Sequence, residues 1–338
     1  MAATVILGLD LGGTTLSGGL VHPDGRVRLQ RAVATYARGR GEAVIEQLLD
    51  TTAAMLDAAR RRRLHVAGIG FGVPGTVDPV RGRIRGNIQN VPELEGMALG
   101  PLLHRRFGVR IHLDNDVNAL TLGELYFGRA RGVQNFAMLA AGTGVGGGIV
   151  IEGKLVRGKR GYGGEAGHAT VNLDGRPCFC GSTGCIKTYA SGPDIAAQAR
   201  ERLQTSEPGR LLELCGGDPA RLTAQEVFAA ARTGEPTALE VVEIAARALG
   251  AGVANLVNIL NPEMIILGGG VLEASDLLLP RIKRWAASYA FADALQGTRI
   301  VVSRFTKRSS IKGAAALFLY EIGRPPRSGR KRPPVRSP

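Results

Sequence analysis

Residues 7–21 read LGLDLGGTTLSGGLV. Two apolar runs, Val5–Leu9 and Leu16–Val21, flank a bend with Asp10 at its entry and Gly12-Gly13 inside it. That pattern reads as two strands joined by a tight turn. His22-Pro23-Asp24-Gly25 ends the second run, and Asp-Gly is a strong hairpin signal, so Val27–Val33 continues the meander as a third strand. Further on, GEAVIEQLLDTTAAMLDAARRRR (41–63) puts Val44, Ile45, Leu48, Leu49, Met55, Leu56 and Ala59 on one helical face. His65–Val73 is a buried strand broken by Pro74-Gly75, and Ile111–Leu113 is a short strand running into Asp114-Asn115-Asp116.

The second half repeats the opening. Asn135–Ala140 reads as a strand, Gly142-Thr143-Gly144 as a turn, and Gly146–Ile151 as the returning strand. Helices follow through 193–260, then a strand at Met264–Leu267 leads into Gly268-Gly269-Gly270, and a last helix runs roughly from Ser310 to Gly323. Strand, glycine turn, strand thus occurs twice, a weak internal repeat. The expectation is an α/β protein of two similar lobes, each a mixed sheet flanked by helices, around a central cleft. Residues 1–118 plus about 305–323 would form the N-terminal lobe and 119–304 the C-terminal lobe.

At 338 residues the chain is long enough for two such cores. No apolar run reaches the roughly 20 residues of a membrane span, and the N-terminus lacks the basic region of a signal peptide, so a cytoplasmic protein without a membrane partner is expected. The net charge of +14 invites a nucleic-acid reading. However, the stretch 324–338, RPPRSGRKRPPVRSP, supplies six of those charges and has little to bury, so it reads as a disordered basic tail. No specific nucleic-acid partner is expected, and a basic body suits an anionic substrate such as ATP.

The glycine turns carry the first chemistry. Gly12 and Gly13 let backbone N–H groups approach phosphate oxygens, Thr14 and Thr15 add hydroxyls, and Asp10 can hold Mg²⁺, directly or through water. No GK[ST] follows, so this is not a Walker A loop; nor do the glycines open a helix, as a dinucleotide fingerprint requires. A tight hairpin with no ligand is the plainer reading of one such turn. Three turns at strand ends, with Gly142, Thr143 and Gly144 in the second and Gly268 and Gly269 in the third, converge better on a nucleotide site.

His168 precedes Cys178, Cys180 and Cys185 by ten, twelve and seventeen residues. Three thiolates and one imidazole make a closed tetrahedral zinc site, and in a reducing compartment this outweighs a disulfide or unliganded thiols. Cys215 lies apart and reads as core.

DLGGT, the Asp-Asn-Asp stretch, GTGVGGG, EAGH (165–168) and the cysteine cluster occur in the order of the ROK family of sugar kinases and sugar-responsive repressors, which the chain resembles over about residues 4–322. The resemblance implies an actin/hexokinase-like fold of two RNase H-like lobes, with ATP between them and a hexose deeper in the cleft. It implies an ATP- and Mg²⁺-dependent kinase acting on a hexose 6-hydroxyl, glucose first, with Asp116 as the base. Gly75, Asn90, Asn115, Asp116, Glu165 and His168 would contact the sugar, His168 serving zinc as well. By its residues alone, Asp-Asn-Asp before a helix is only a capping turn, with Asp116 or Asn118 as the cap. Family repressors carry an N-terminal helix-turn-helix, for which a strand beginning by Val5 leaves no room; a homodimer or homotetramer is carried over from the family.

One position departs from the family pattern. Two residues past the last cysteine the family has Glu, a sugar-binding acceptor, and this chain has Lys187, which only donates. Lys187 turns away from the sugar, or the pocket takes an N-acetylated or otherwise substituted hexose (as an N-acetylglucosamine or N-acetylmannosamine kinase would), or the chain is a sugar-sensing regulator with weak kinase activity.

Overall fold

The computed structural model describes residues 2–13, 15–35, 41–86, 88, 91–204, 209–305 and 309–326. Thr14, Asn90 and tail residues 327–338, all given expectations above, lie outside the described residues. Contacts divide the chain into two compact units. The first runs to Gln134 and also takes Glu152–Gly163 and the segment from Phe305 on; the second comprises Asn135–Ile151 and Gly164–Arg304.

In the first unit, β1 (Thr4–Leu11), β2 (Thr15–Val21) and β3 (Val27–Ala34) form the expected meander, followed by α1 (Gly41–Arg61) and β4 (His65–Val73). A small hairpin of β5 (Thr76–Asp78) and β6 (Arg83–Gly86) leads to α2 (Leu99–Phe107), β7 (Ile111–Asn115) and α3 (Asp116–Phe127). The sheet order is β3-β2-β1-β4-β7, antiparallel through the meander and parallel from β1 to β7. Parallel strands must be covered on both faces, and the sequence meets this with continuous apolar runs. Leu7, Leu9, Ile69 and Phe71 are buried in one core with Val44, Leu48 and Met55 of α1.

The second unit begins with β8 (Phe136–Ala141) and β9 (Val145–Ile151), antiparallel to each other. The short β10 (Lys154–Leu155) falls in the segment assigned to the first unit. Then come α4 (Lys187–Ala190), α5 (Gly192–Leu203), α6 (Arg210–Leu214), α7 (Ala224–Arg232), α8 (Pro236–Leu260), β11 (Met264–Gly268), α9 (Ser275–Tyr289), α10 (Ala292–Gly297) and β12 (Arg299–Val302). Strands β9, β8, β11 and β12 are neighbours in that order, the last three parallel. A hairpin followed by parallel strands is also the plan of β2-β1-β4-β7, so the repeat hinted at in the sequence is a repeat of topology. The core of this unit packs Leu139, Ile265 and Leu267 against Val242, Leu249 and Val253 of α8. Among the described residues no helix is long and apolar enough to cross a membrane.

The final helix, α11 (Ser310–Glu321), returns to the first unit. It lies directly on the sheet because β1 and β4 present glycines to it. A Cβ at Gly8 would stand 2.1 Å from the carbonyl oxygen of Ile311, and one at Gly70 1.8 Å from that of Ala314. Helix α3 packs on the same helix, with Gly313 against the Ala119 carbonyl. That packing is why the first unit extends to Gln134 rather than ending at 118.

Candidate active site and metal centre

The parallel strands of the first unit end together. Asp10 pairs in register with Gly72, Gly72 with Asp114, and Val73 with Asn115. In open α/β sheets ligands bind beyond the carboxyl ends of strands, and this edge is where Asp10, the Pro74-Gly75 turn and the Asp-Asn-Asp stretch all lie. Gly72 sits between the candidate carboxylates: a Cβ there would lie 3.4 Å from both Asp10 Oδ1 and Asp116 Cα.

The Asp-Asn-Asp stretch differs from the expectation in one respect. Asn115, not Asp116 or Asn118, caps α3: its Oδ1 accepts from the N–H groups of Val117 (2.8 Å) and Asn118 (3.2 Å). Strand alternation therefore stops at Asn115, and Asp116 opens the helix. Its Oδ1 accepts from the Val117 N–H at 2.9 Å, where the helix dipole favours an anion. Asn115 Nδ2 donates to the Gly75 carbonyl at 3.0 Å, tying the Pro-Gly turn to the cap. Asp114 is buried behind them and holds the turn, accepting from the Asn115 N–H (2.7 Å) and Asn118 Nδ2 (3.0 Å). Its other oxygen accepts from Arg157 Nε at 2.7 Å; Arg157 also pairs with Glu321 of α11 and lies over the Tyr320 ring. Sequence reasoning missed Arg157 and Glu321, and no local pattern marks either.

Asp10 accepts a hydrogen bond from Ser310, yet burial outweighs it and pushes the carboxyl from 3.8 up to about 6. In the folded state it therefore keeps a proton that the unfolded chain loses near pH 4. Its contribution to stability is fully present below that pH and is lost as pH rises through about 6. At roughly 1.4 kcal/mol per unit, ionised Asp10 costs the apo fold about 3 kcal/mol. Asp10→Asn should thus raise the urea-unfolding free energy by about 2 kcal/mol at pH 8 without nucleotide, and by almost nothing at pH 4. An equal effect at both pH values would show that Asp10 carries no buried charge.

Gly12 donates its N–H to the Thr15 carbonyl at 2.8 Å, closing the first glycine turn in the first unit. The second unit holds the other two turns side by side. A Cβ at Gly142 would meet only the Gly270 N–H, at 4.0 Å, whereas Thr143 and Gly144 are exposed. Gly269 has φ +87°, and a Cβ there would lie 2.2 Å from the Ala141 carbonyl, so only glycine fits between β8 and the end of β11. Exposed backbone at paired strand ends offers N–H groups to an anion, as a nucleotide site requires.

The cysteine reading is brought together in space. The ligand atoms of His168, Cys178, Cys180 and Cys185 all lie within 4.8 Å of one another. Cys178 Sγ is 3.5 Å from His168 Nδ1, and Cys180 Sγ is 3.7 Å from Cys185 Sγ. Donors bound to zinc at about 2.0–2.3 Å in a tetrahedron stand roughly 3.5–3.8 Å apart, so the donor set fits that ion. Cys215 is buried in the core as expected. Glu165 begins the short helical turn Ala166–His168, and burial raises its carboxyl pKa. Lys187 lies in the same unit, its Nζ 3.1 Å from Asp194 Oδ2 and 5.4 Å from the centre of the Phe179 ring, which in turn meets the His168 ring edge-on. Its charge is compensated by Asp194, a partner the sequence reading did not identify.

The family described as ROK matches residues 6–321. A glucokinase of Thermotoga maritima is 33% identical over 318 residues, covering 94% of this chain and 98% of that one. The crystal structure of a ROK family glucokinase from Streptomyces griseus, in complex with glucose and AMPPNP, superposes with a TM-score of 0.80 at 31% identity, covering 93% of this chain and 98% of that one. A ROK family transcriptional regulator, a homologue of the E. coli MLC protein, superposes with a TM-score of 0.82 at 28% identity, covering 93% of this chain and 78% of that one.

Proposed function

The chain belongs to the ROK family, and from that premise we propose that it is an ATP-dependent sugar kinase of the actin-like fold that phosphorylates glucose at its 6-hydroxyl. The observation that carries this is the shared edge of β1, β4 and β7, where Asp10, Gly75, Asn115 and Asp116 meet. Phosphoryl transfer asks the protein for positioning, charge neutralisation and a proton acceptor. Asp116 takes the 6-hydroxyl proton as that oxygen forms its bond to the γ-phosphorus and the bond to the ADP oxygen breaks. Asn115 is fixed by its cap and by Gly75, and it orients the sugar together with Asn90, Glu165 and His168. The glycine turns, with Thr14, Thr15 and Thr143, hold the phosphates and adenosine. Asp10 would hold Mg²⁺, which would supply neutralisation of the phosphate charge.

His168, Cys178, Cys180 and Cys185 would hold zinc, which would anchor the Glu165–His168 turn. The His168 Nδ1 faces the thiols, which leaves Nε2 for a sugar hydroxyl. Reduced thiols suit a cytoplasmic protein. A homodimer or homotetramer, with no specific nucleic-acid partner, completes the reading.

The Lys187–Asp194 pair favours glucose with Lys187 held aside; a pocket for a substituted hexose is the second reading, because a donor now stands where the family has an acceptor. ATP consumption with glucose, N-acetylglucosamine and N-acetylmannosamine separates the two, and activity with none of them would sink the kinase reading. Lys187→Glu should lower the KM for glucose by about threefold to tenfold, as one regained charged hydrogen bond would. It should also lower the melting temperature, because two carboxylates then face each other. An unchanged KM would place residue 187 beyond reach of the sugar.

A further inference from the structure

A cavity of about 750 Å³ opens in the first unit beside β7, the edge strand of its sheet. The start of β7, the β5–β6 hairpin, the first turn of α2 and residues 157–161 line it. Six lining side chains are cationic, namely Arg81, Arg85, Arg110, Arg157, Lys159 and Arg160; the lining carboxylates are Asp78 and Glu321. These two are already engaged. Asp78 receives Arg85 at 2.6 Å and Arg81 at 3.6 Å, and Glu321 receives Arg157. Arg110, Lys159 and Arg160 have no ion-pair partner among the described residues.

Uncompensated cations gathered around a concavity repel one another and focus a positive potential into it. His112 lines the same cavity, and its Nε2 is buried without a hydrogen-bond partner among the described residues. The volume falls within the roughly 300–1,000 Å³ of small-molecule sites. Arginine forks match phosphate oxygens in geometry and charge. The cavity is distinct from the catalytic edge: its lining reaches β7 at Ile111 and His112 and includes none of Asp10, Gly75, Asn115 and Asp116.

We propose that this cavity binds a phosphorylated small-molecule anion at a site separate from those for ATP and the sugar. Arg157 connects it to the chemistry, since the side chain that lines the cavity also holds Asp114 behind Asn115 and Asp116.

The test is calorimetric titration of the full chain with tripolyphosphate and, separately, glucose 6-phosphate, with AMPPNP and glucose present in excess to fill the catalytic site. One or both anions should bind at 0.15 M salt. The double variant Arg110→Gln with Lys159→Gln should bind at least about tenfold more weakly while keeping basal glucose turnover within about twofold. Lys159→Gln alone should show an intermediate loss. Tighter binding of tripolyphosphate assigns the site to a free polyphosphate, and tighter binding of glucose 6-phosphate assigns it to a sugar phosphate. Absence of binding by both anions overturns the proposal, as does unchanged binding by the double variant. An equal loss from Arg62→Gln with Arg63→Gln, in the exposed turn just after α1, would also overturn it by showing general attraction to a basic surface. The readout is binding, so it stands apart from whether the chain turns over glucose.

Discussion

Asp116→Asn should lower kcat for glucose phosphorylation by about a thousandfold, within the 10²–10⁴ that a positioned general base contributes. KM for both substrates should stay within about threefold, because the amide keeps the shape of the carboxylate but cannot take up the 6-hydroxyl proton. Folding should be unaffected. Asn115 provides the helix cap, and an amide oxygen at 116 can still accept from the Val117 N–H. The check is steady-state kinetics alongside a thermal melt, and near-normal turnover would remove Asp116 from the role of base.

Loss of the metal should produce the second large effect. Besides the four donors, hydrogen bonds hold the loop from 169 to 185: the bridges Thr170 to Cys185 and Pro177 to Thr183, the bonds of Asn172 Nδ2 and the Arg176 N–H to the Tyr189 hydroxyl, and the Arg176–Glu201 ion pair. Ala169 and Val171 pack on the core where the loop leaves it, but farther out Leu173 is 86% exposed and Phe179 46%, so apolar packing fades toward the metal donors. In such a loop the ion substitutes for a core, and metal binding free energy becomes folding free energy. The purified protein should contain about one zinc per chain. Cys180→Ser, or prolonged chelation, should lower the melting temperature by on the order of 10 °C and raise the KM for glucose about tenfold or more. The KM for ATP should move little, because the glycine turns are held by the β1–β2 hairpin and by β8 and β11, not by the cysteine loop. Zinc content well below one per chain in the native protein would overturn the assignment.

What the sequence showed and what it hid divide by the distance between partners. The meander, the glycine turns and the cysteine spacing are local, so periodicity and turn chemistry expose them. Arg157 meets Asp114 across 43 residues and Glu321 across 164, and nothing near any of the three announces the others. The same holds for Ser310 on Asp10. Lys187 stood out as a departure from the family motif, but its neutralising partner, Asp194, sits in the first turn of the next helix and reads there as an ordinary capping residue. The cap of α3, expected at Asp116 or Asn118, is Asn115, because Asp and Asn are equally good caps by type and the Gly75 contact that fixes Asn115 lies 40 residues away.

The glycines under α11 also bear on how the chain matures. Gly8 and Gly70 are synthesised well before the helix that covers them, which follows more than 230 residues later. The second unit is interrupted only by residues 152–163 and can close while the end of the chain is still being synthesised. The first unit therefore cannot complete its packing until α11 has been made, and until then the face of its sheet at Gly8 and Gly70 stays uncovered.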